Sequence, residues 1–399
     1  MRIVHIITRL ILGGAQQNTV LCCRAQVQAG HEVFLLYGPI YGPEGSLETA
    51  ARATGAELIE IRALRRAVLP VHDWLCYRVL RRLLRHVQPD IVHTHSSKAG
   101  IVGRAAAWKE HVPGVVHTIH GLPFHPRNSA LVNRLYVGLE RYAAKRCHRL
   151  IGVTQAMEAE FLARGIGRPG QFVTIPSGMD VAEFDVPPET RQRVRRELGI
   201  PDEAPVVGII ARLDKLKGQE DLLDILADLR ARFPAVRLLM VGEGWDGDNL
   251  RARVAREGWQ KQVIFTGLLP PERIPGVVAA MDVHALPSYQ EGQPRTMVQA
   301  LLGGVPVVGY DAGGIKDVCL DGQTGRLVPL GYRPGLAQAI LGLLGDADLR
   351  RKLGEQGRAF ARTHYDSSIM THQLEEVYRQ VLEEHRSGPR GPDGWPART

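Results

Sequence analysis

Two segments decide the architecture of this 399-residue chain: Ala-Arg-Leu-Asp-Lys-Leu-Lys-Gly at 211–218 and Ser-Tyr-Gln-Glu-Gly-Gln-Pro-Arg-Thr-Met-Val-Gln-Ala at 288–300. The first follows an apolar run that begins at 206, so Arg212 and Lys217 are predicted to leave the carboxyl end of a buried strand. Glu291 lies at the same kind of boundary in the second segment. Cations at such an edge suit a dianionic leaving group, and a carboxylate suits sugar hydroxyls.

Apolar runs alternate with helix-period segments along the chain. A first series lies at 2–7, 32–37, 90–94, 114–119, 149–153 and 171–176, and a second begins at 206, 236, 263, 282 and 305. Strands that alternate with helices are typical of parallel sheets covered on both faces. The sequence therefore predicts an α/β protein built from two doubly wound, Rossmann-like domains.

The predicted domains meet near residue 180, because the Gly and paired Pro of 177–188 are typical of a linker. We expect an N-terminal acceptor-binding domain over 1–180 and a C-terminal donor-binding domain over 181–365. A helix at 366–384 is a candidate to cross back to the first domain. The Gly-, Pro- and Arg-rich segment 385–399 is predicted to be a disordered tail.

Composition favours a cytoplasmic enzyme. The five cysteines form no Cys-x-x-Cys pair, the amino terminus is too short for a signal segment, and no stretch has the length of a transmembrane helix. Residues 1–180 carry 22 Lys and Arg against 12 Asp and Glu, whereas residues 181–399 carry 28 against 30. The basic half suits an anionic membrane surface or an acidic acceptor, and no nucleic-acid partner is expected because no binding motif for one is recognised.

The two opening segments resemble the donor half of the retaining, nucleotide-sugar-dependent glycosyltransferases of family 4. The family signature is Arg-x4-Lys-Gly, followed some seventy to eighty residues later by Glu-x7-Glu. Three further segments carry the resemblance: Leu12-Gly13-Gly14-Ala15-Gln16, His93-Thr94-His95-Ser96-Ser97-Lys98-Ala99-Gly100 and His117-Thr118-Ile119-His120-Gly121. The resemblance spans roughly residues 1–380 and implies the GT-B fold, in which two Rossmann-like domains face each other across a cleft.

The resemblance implies a role for each of these segments. The implied catalytic residues are His120, Arg212, Lys217 and Glu291. The implied substrate-binding residues are Gly13, Gly14, Gln16, His95, Lys98, Gly292, Gln293, Pro294, Gln299, Gly313 and Gly314. The cations would stabilise the departing nucleoside diphosphate, so neither a metal ion nor another cofactor is expected. Gln299 replaces the Glu that usually takes the ribose hydroxyls, and because an amide accepts without charge, weaker ribose contacts are expected.

Two other features have simple explanations beside functional ones. His93, His95, His117, His120 and His125 could bind a metal, but they lack a metal-ligand spacing, so structural roles are favoured apart from His120. The arginine-rich segment 62–87 predicts an amphipathic helix that is either a solvated cover or a docking surface for anionic lipid. Its apolar stripe is Val71, Leu75, Val79, Leu83 and Val87, with Leu80 and Leu84 beside it.

We therefore expect a metal-independent retaining glycosyltransferase that moves a sugar from a nucleotide-sugar to a hydroxyl acceptor. Uridine is the expected base, and the candidate acceptors are lipid-linked or cell-surface polysaccharide and glycoconjugate precursors. The expected location is the cytoplasm, with peripheral binding at the inner membrane face. Three alternatives stay open: a sugar-nucleotide epimerase of the same fold, a phosphorylase, and a catalytically silent nucleotide-sugar-binding protein. A phosphorylase would need a pyridoxal-phosphate lysine, and the sequence has no recognisable context for one.

Overall fold

The computed structural model describes residues 1–41, 45–124 and 129–387. His125 and most of the predicted tail, 388–399, lie outside the described residues. The chain divides into two compact units. The first unit is Met1–Gly178 together with the segment that starts at Ser367, and the second unit is Met179–Asp366.

The first unit is a seven-stranded parallel sheet. Its strands are Arg2–Arg9 (β1), Glu32–Gly38 (β2), Glu57–Glu60 (β3), Ile91–His95 (β4), Gly114–Ile119 (β5), Arg149–Gly152 (β6) and Phe172–Thr174 (β7). The helices between them are Gly14–Gln28 (α1), Glu48–Arg52 (α2), Pro70–Val87 (α3), Ser97–Lys109 (α4), Ala130–Ala144 (α5) and Gln155–Ala163 (α6). The strand order is β3-β2-β1-β4-β5-β6-β7, so the direction of winding reverses between β1 and β4.

The second unit is a six-stranded parallel sheet. Its strands are Val206–Ile210 (β8), Arg237–Val241 (β9), Val263–Gly267 (β10), Val283–Leu286 (β11), Val307–Tyr310 (β12) and Gly325–Val328 (β13). Its helices are Thr190–Glu197 (α7), Gln219–Asp224 (α8), Leu226–Arg232 (α9), Gly247–Arg256 (α10), Ile274–Ala279 (α11), Arg295–Leu302 (α12), Arg333–Gly345 (α13) and Ala347–Tyr365 (α14). The order β10-β9-β8-β11-β12-β13 reverses between β8 and β11, which confirms two doubly wound sheets.

The helix Ser367–Ser387 (α15) packs in the first unit although it follows the second unit in the sequence. Its side chains Met370 and Tyr378 join Ile3 of β1 in one core, and Val4 of β1 enters another core on the opposite face of the sheet. β1 is therefore buried on both faces, which explains why it is a continuous apolar run rather than an alternating one. Residues 385–387 of the predicted tail are helical.

The apolar pattern missed two strands, β3 and β13. Each is the outermost strand of its sheet and pairs along one edge only. β3 begins and ends with Glu, and β13 has half-buried residues at its centre, so neither forms an apolar run. The predicted linker also contributes to a core, because Met179 and Phe184 pack in the second unit.

The structure corrects the predicted inner face of α3. Its buried side chains are Cys76, Leu80 and Leu84. Val71, Leu75 and Val79, predicted to face inward, are exposed. At 3.6 residues per turn, a four-residue repeat rotates by roughly 40° per step and so leaves the buried face.

Within the described ranges, no helix has the length and apolar character needed to cross a bilayer.

His284 of β11 is a buried polar group with nothing to bond. Its side chain is fully buried, and neither ring nitrogen has a hydrogen-bond partner. Its neighbours across the sheet are Gly208 and Val307. Burial lowers the pKa of His284 from 6.5 to about 3, because the apolar surroundings disfavour the imidazolium. The residue therefore costs stability in the folded state.

We expect His284→Leu to raise the free energy of unfolding by roughly 1–3 kcal/mol, because it removes two unsatisfied buried nitrogens. The gain should grow as the pH falls from 6.5 towards 3, since the unfolded histidine gains a proton that the folded one resists. Denaturant unfolding at pH 7 and pH 5 measures both effects. His93→Leu is the control, because both of its nitrogens are bonded and its loss should destabilise. A His284→Leu protein that is less stable at both pH values would contradict the expectation.

Candidate active site

The predicted catalytic residues of the second unit lie where its strand order reverses. Arg212 and Lys217 follow β8, and Glu291 follows β11. These two strands are neighbours, with Val207 beside Val283. In open parallel sheets, ligands bind beyond the carboxyl ends of the strands at this point.

Lys217 and Glu291 form an ion pair at this edge. The Lys217 Nζ donates to Glu291 Oε1 at 2.6 Å, although the residues lie 74 positions apart in the sequence. The two side chains are only 22% and 11% exposed. Lys217 has three N–H donors and Glu291 has two oxygens, so each group keeps bonding capacity for a ligand.

Backbone contacts hold the two loops together. The amide of Tyr289 and the hydroxyl of Ser288 both donate to the carbonyl of Leu216, each at 2.8 Å. Gly218 has a φ of 79°, and a Cβ there would lie 2.1 Å from the carbonyl oxygen of Pro287. Only glycine permits this approach, which explains its place directly after Lys217.

Arg212 presents its charge outward from a fixed backbone. The side chain is 51% exposed, and its Nη2 lies 3.3 Å from Asp214 Oδ2. The Arg212 carbonyl accepts from Gln219 Nε2 at 3.0 Å. Asp214 also accepts a hydrogen bond from the amide of Leu216 at 3.0 Å. One carboxylate therefore contacts both the Arg212 guanidinium and the backbone of the loop that carries Arg212 and Lys217. The sequence reasoning missed Asp214, although it lies two residues after Arg212 in the motif.

The glycine turn after β12 joins the same cluster. The amide of Gly314 donates to the carbonyl of Glu291 at 3.3 Å. Gly313 has a φ of 54°, and a Cβ there would lie 2.2 Å from that carbonyl oxygen. The structure thus brings Lys217, Glu291, Gly313 and Gly314 together, with Arg212 on the same loop as Lys217.

Glu291 lies four residues before the helix that follows it and does not cap that helix. The helix α12 begins at Arg295 with Pro294 at its N-cap position, and the Glu291 carboxylate binds Lys217 instead. Gly292 and Gln293 lie in the turn between them, and Gln299 is half-buried in the second turn of α12. Contacts of these residues with a ligand stay predictions.

A buried carboxylate, Asp221, supports the loop from behind and was missed by the sequence reasoning. Its Oδ2 accepts from the hydroxyls of Tyr289 at 2.8 Å and Tyr310 at 2.9 Å. Its Oδ1 accepts from Arg333 Nε at 2.9 Å. Burial, followed by the Asp221 carboxylate, raises the pKa of Tyr289. These partners lie 68–112 residues from Asp221, so no local pattern signals them.

The predicted residues of the first unit also lie at a reversal of strand order. Gly13 precedes and Gly14 begins α1, directly after β1, and His95 ends the neighbouring strand β4. A Cβ on Gly13 would lie 2.6 Å from Gln16 Oε1. Lys98 binds Asp73 at 2.5 Å and is mostly buried, so its role as a substrate ligand stays a prediction.

His120 belongs to a row of hydrogen-bonded imidazoles. Its Nε2 lies 3.0 Å from His95 Nδ1, and His95 Nε2 lies 2.9 Å from His5 Nδ1. Burial lowers the pKa of His5 to about 4 and the pKa of His95 well below its ordinary value. His5 and His95 are therefore neutral near pH 7.

Among the described residues, His5, His93 and His95 form a group with metal-binding geometry, because each has a ring nitrogen within 4.8 Å of those of the other two. Hydrogen bonds account for this cluster without an ion, because each of the six nitrogens has a partner. The partners are Gln26, His95, Tyr378, Thr118, His120 and His5. Metal independence stays a prediction.

Comparisons with known proteins show which family this chain resembles. The family description "Glycosyltransferase Family 4" matches residues 12–183, and "Glycosyl transferases group 1" matches residues 190–360. A D-inositol 3-phosphate glycosyltransferase of Acidothermus cellulolyticus is 30% identical over 339 residues, which are 80% of this chain and 74% of that protein. The putative glycosyltransferase EpsD of Bacillus subtilis is 26% identical over 327 residues, or 80% of this chain and 84% of that protein.

The fold is shared with a solved structure. The crystal structure of Anabaena HepE in complex with UDP and glucose has a TM-score of 0.83 at 23% identity and covers 95% of this chain and 99% of that one. This likeness confirms the predicted GT-B fold class. Since the Acidothermus protein is similar over most of both chains, this protein belongs to the family 4 glycosyltransferases.

Proposed function

We propose that this protein transfers a sugar from a nucleotide-sugar, with uridine diphosphate as the leaving group, to an acceptor hydroxyl. The proposal includes retention of configuration and independence of metal ions. The observation that carries it is the Lys217–Glu291 pair, which sets an ammonium group 2.6 Å from a carboxylate at the reversal point of the second sheet. In the proposed site the ammonium group binds phosphate and the carboxylate binds sugar hydroxyls. The complex of HepE with UDP and glucose supports the choice of base.

The proposed step breaks the bond between the sugar C1 and the phosphate oxygen. The electron pair of that bond leaves with the phosphate, whose growing negative charge Arg212 and Lys217 stabilise more in the transition state than in the ground state. Arg212 is half-exposed and can grip two phosphate oxygens, whereas Lys217 supplies a point charge. These two cations would offset the charge that a divalent ion offsets elsewhere.

The new bond forms from the acceptor oxygen to C1 on the face that the phosphate leaves. The hydroxyl proton passes to the departing phosphate oxygen, so a glycoside and a nucleoside diphosphate are the products. Glu291 holds sugar hydroxyls through the carboxylate oxygen that Lys217 does not bond. We propose that His120 offers its imidazole to a substrate hydroxyl.

We further propose that the acceptor is anionic. Residues 1–180 carry the whole cationic excess of the chain, and a basic surface favours an acidic substrate. The Acidothermus relative is named for inositol 3-phosphate, a phosphorylated polyol. A lipid-linked phosphate and a soluble phosphate ester share this chemistry.

Arg212→Ala and Lys217→Ala should each lower turnover by about 100-fold, because each removes one preorganised charge from the leaving phosphate. The measurement is nucleotide release from a panel of nucleotide-sugars, with and without acceptor. Lys215→Ala, an exposed lysine of the same loop, is the matched control and should keep full turnover.

The same assay separates the alternatives. A transferase releases nucleotide in proportion to acceptor glycosylated, an epimerase changes the sugar without an acceptor, and a silent binding protein releases nothing while still binding the donor. Near-normal turnover in both cation variants would contradict the leaving-group assignment.

Gln299→Glu should keep or tighten nucleotide binding, because a charged acceptor makes stronger hydrogen bonds to ribose hydroxyls. Titration calorimetry with uridine diphosphate measures the change, and Gln299→Leu, which has no acceptor, should weaken binding. A large loss of affinity in the Glu variant would show that ribose lies elsewhere.

We also propose reversible binding to anionic membranes through α3. The exposed side chains that we call the α3 surface are Val71, Trp74, Leu75, Arg78, Val79 and Arg82. Trp74 is 54% exposed, and the Arg78 guanidinium lies 4.8 Å from the centre of its ring. Aromatic and aliphatic groups interleaved with arginines are typical of helices that lie in a membrane interface.

Two arginines of the segment predicted to dock on anionic lipid already form ion pairs within the protein. Arg81 and Arg85 both bind the Glu110 carboxylate, Arg85 with Nε at 2.5 Å from Oε2. Arg78 and Arg82 therefore carry the charge of the α3 surface. Each basic residue near an anionic surface contributes about 1 kcal/mol, and burial of Trp74 adds an apolar contribution.

The protein should sediment with vesicles that contain acidic lipid at low salt and not with neutral vesicles. The triple variant Trp74→Ser, Arg78→Glu, Arg82→Glu should lose this binding and keep donor binding. Arg256→Glu with Arg351→Glu, two exposed arginines of the second unit, is the control that should still bind. If the wild-type protein ignores both kinds of vesicle, the α3 surface has no membrane role.

A further inference from the structure

The carboxylate of Asp221 is filled with hydrogen-bonding contacts. A carboxylate has about four acceptor positions, two on each oxygen. The hydroxyls of Tyr289 and Tyr310 bond Oδ2, and Arg333 lies against Oδ1 with its Nε at 2.9 Å and its Nη2 at 2.8 Å. The Asp221 side chain is only 3% exposed. The carboxylate therefore cannot turn without breaking one of these contacts, and its position is fixed.

Both phenols donate to Asp221, because an ionised carboxylate accepts hydrogen bonds and has no hydrogen to give. The Arg333 guanidinium offsets the charge of the carboxylate, which favours an ionised group in this buried position. Burial, followed by the Asp221 carboxylate, raises the pKa of Tyr289 and of Tyr310. Each phenol therefore keeps its hydrogen near neutral pH, and the direction of both bonds is determined.

Tyr289 is bonded at both ends to the segment that carries Lys217. Its amide donates to the carbonyl of Leu216, the residue before Lys217, at 2.8 Å. Its hydroxyl donates at 2.8 Å to Asp221, which lies four residues after Lys217. We call these two hydrogen bonds the Tyr289 clamp. Glu291 follows two residues later, so the clamp holds the backbone from which the Glu291 carboxylate reaches Lys217.

Tyr310 makes the same bond from a backbone that is held independently. Its hydroxyl donates to the same Asp221 oxygen, and its ring meets that of Tyr289 edge-on with their centres 5.7 Å apart. The backbone of Tyr310 belongs to β12, which pairs with β11 and β13. Tyr289 follows β11 and lies outside the strands. The sheet therefore fixes Tyr310, whereas the position of Tyr289 depends on its clamp.

We propose that the Tyr289 clamp sets the position of Glu291 relative to Lys217, so that Tyr289 and Asp221 are positioning residues for recognition of the donor sugar. A carboxylate that is held in place before the sugar binds loses little freedom when it does, and so binds more tightly. The contact with a sugar rests on the proposed function, whereas the position of the loop is a property of the free protein.

Loss of the clamp should affect the sugar and the nucleotide differently. The loop of Arg212 has its own contacts, since Gln219 Nε2 donates to the Arg212 carbonyl and Asp214 accepts from the amide of Leu216. These contacts do not involve the Tyr289 hydroxyl. A nucleoside diphosphate should therefore still bind, whereas a nucleotide-sugar should lose the contribution of a displaced Glu291.

The first test is hydrogen exchange of the full-length free protein, read by mass spectrometry. Tyr289→Phe removes the hydroxyl and keeps the ring, and we expect residues 287–292 to exchange about ten-fold faster, as for loss of one hydrogen bond to a charged group. Tyr310→Phe is the matched control, because it removes a bond to the same oxygen and should leave this segment unchanged. Exchange in β8 reports the stability of the whole unit in each variant. Equal rates for residues 287–292 in all three proteins overturn the proposal.

The second test is titration calorimetry with uridine diphosphate and with UDP-glucose as the nucleotide-sugar probe. We expect Tyr289→Phe to weaken UDP-glucose binding about ten-fold and to change binding of the diphosphate less than about two-fold. Tyr310→Phe should keep both affinities.

The outcomes separate this inference from the proposed function. Equal weakening of both ligands, or equal weakening in both variants, shows a merely structural role and overturns the positioning role. Faster exchange in Tyr289→Phe with an unchanged ratio of the two affinities overturns it as well. A wild-type protein that binds neither ligand contradicts the proposed uridine donor, and the exchange rates alone then decide whether the clamp holds the loop.

Discussion

The structure depends on one constraint: the first strand of each sheet in the sequence has a neighbouring strand on each side. The chain therefore builds each sheet outward from that strand in two opposite directions. β1 meets β4 in the first unit and β8 meets β11 in the second. The loops that leave these strand pairs part from each other and open a space that a ligand can enter. Every candidate catalytic residue follows or ends one of these strands or the next strand along. The ion pair between Lys217 and Glu291 bridges such an opening.

Burial gives the site its rigidity. The loops around Lys217 are bonded through backbone groups and through Asp221, which lies beneath them and collects two phenols and a guanidinium. A preorganised site of this kind needs little reorganisation as charge develops on a substrate. Such burial destabilises the folded state wherever a buried polar group lacks a hydrogen-bond partner. His5, His93 and His95 have such partners, and His284 does not.

Much of the fold could be predicted from the sequence, because buried parallel strands are continuous apolar runs. The edge strands β3 and β13 were missed, since an edge strand needs no such run. The motif residues Arg212, Lys217 and Glu291 were found from local spacing, but the buried Asp221, which bonds Tyr289 of the Glu291 loop, was not. Its contacts join segments up to 112 residues apart, and no periodicity encodes them. The error in α3 arose from a four-residue repeat that a helix cannot keep on one face.

The position of α15 has a consequence for synthesis of the chain. Residues 179–366 form one continuous segment and can complete their core as they leave the ribosome. The first unit cannot, because Met370, Leu374 and Tyr378 of its core are translated only after the whole second unit. Until then the sheet exposes an apolar face that includes Ile3 and Val116. The part of the protein made first is therefore the part that finishes folding last, and its nascent surface is a target for chaperones.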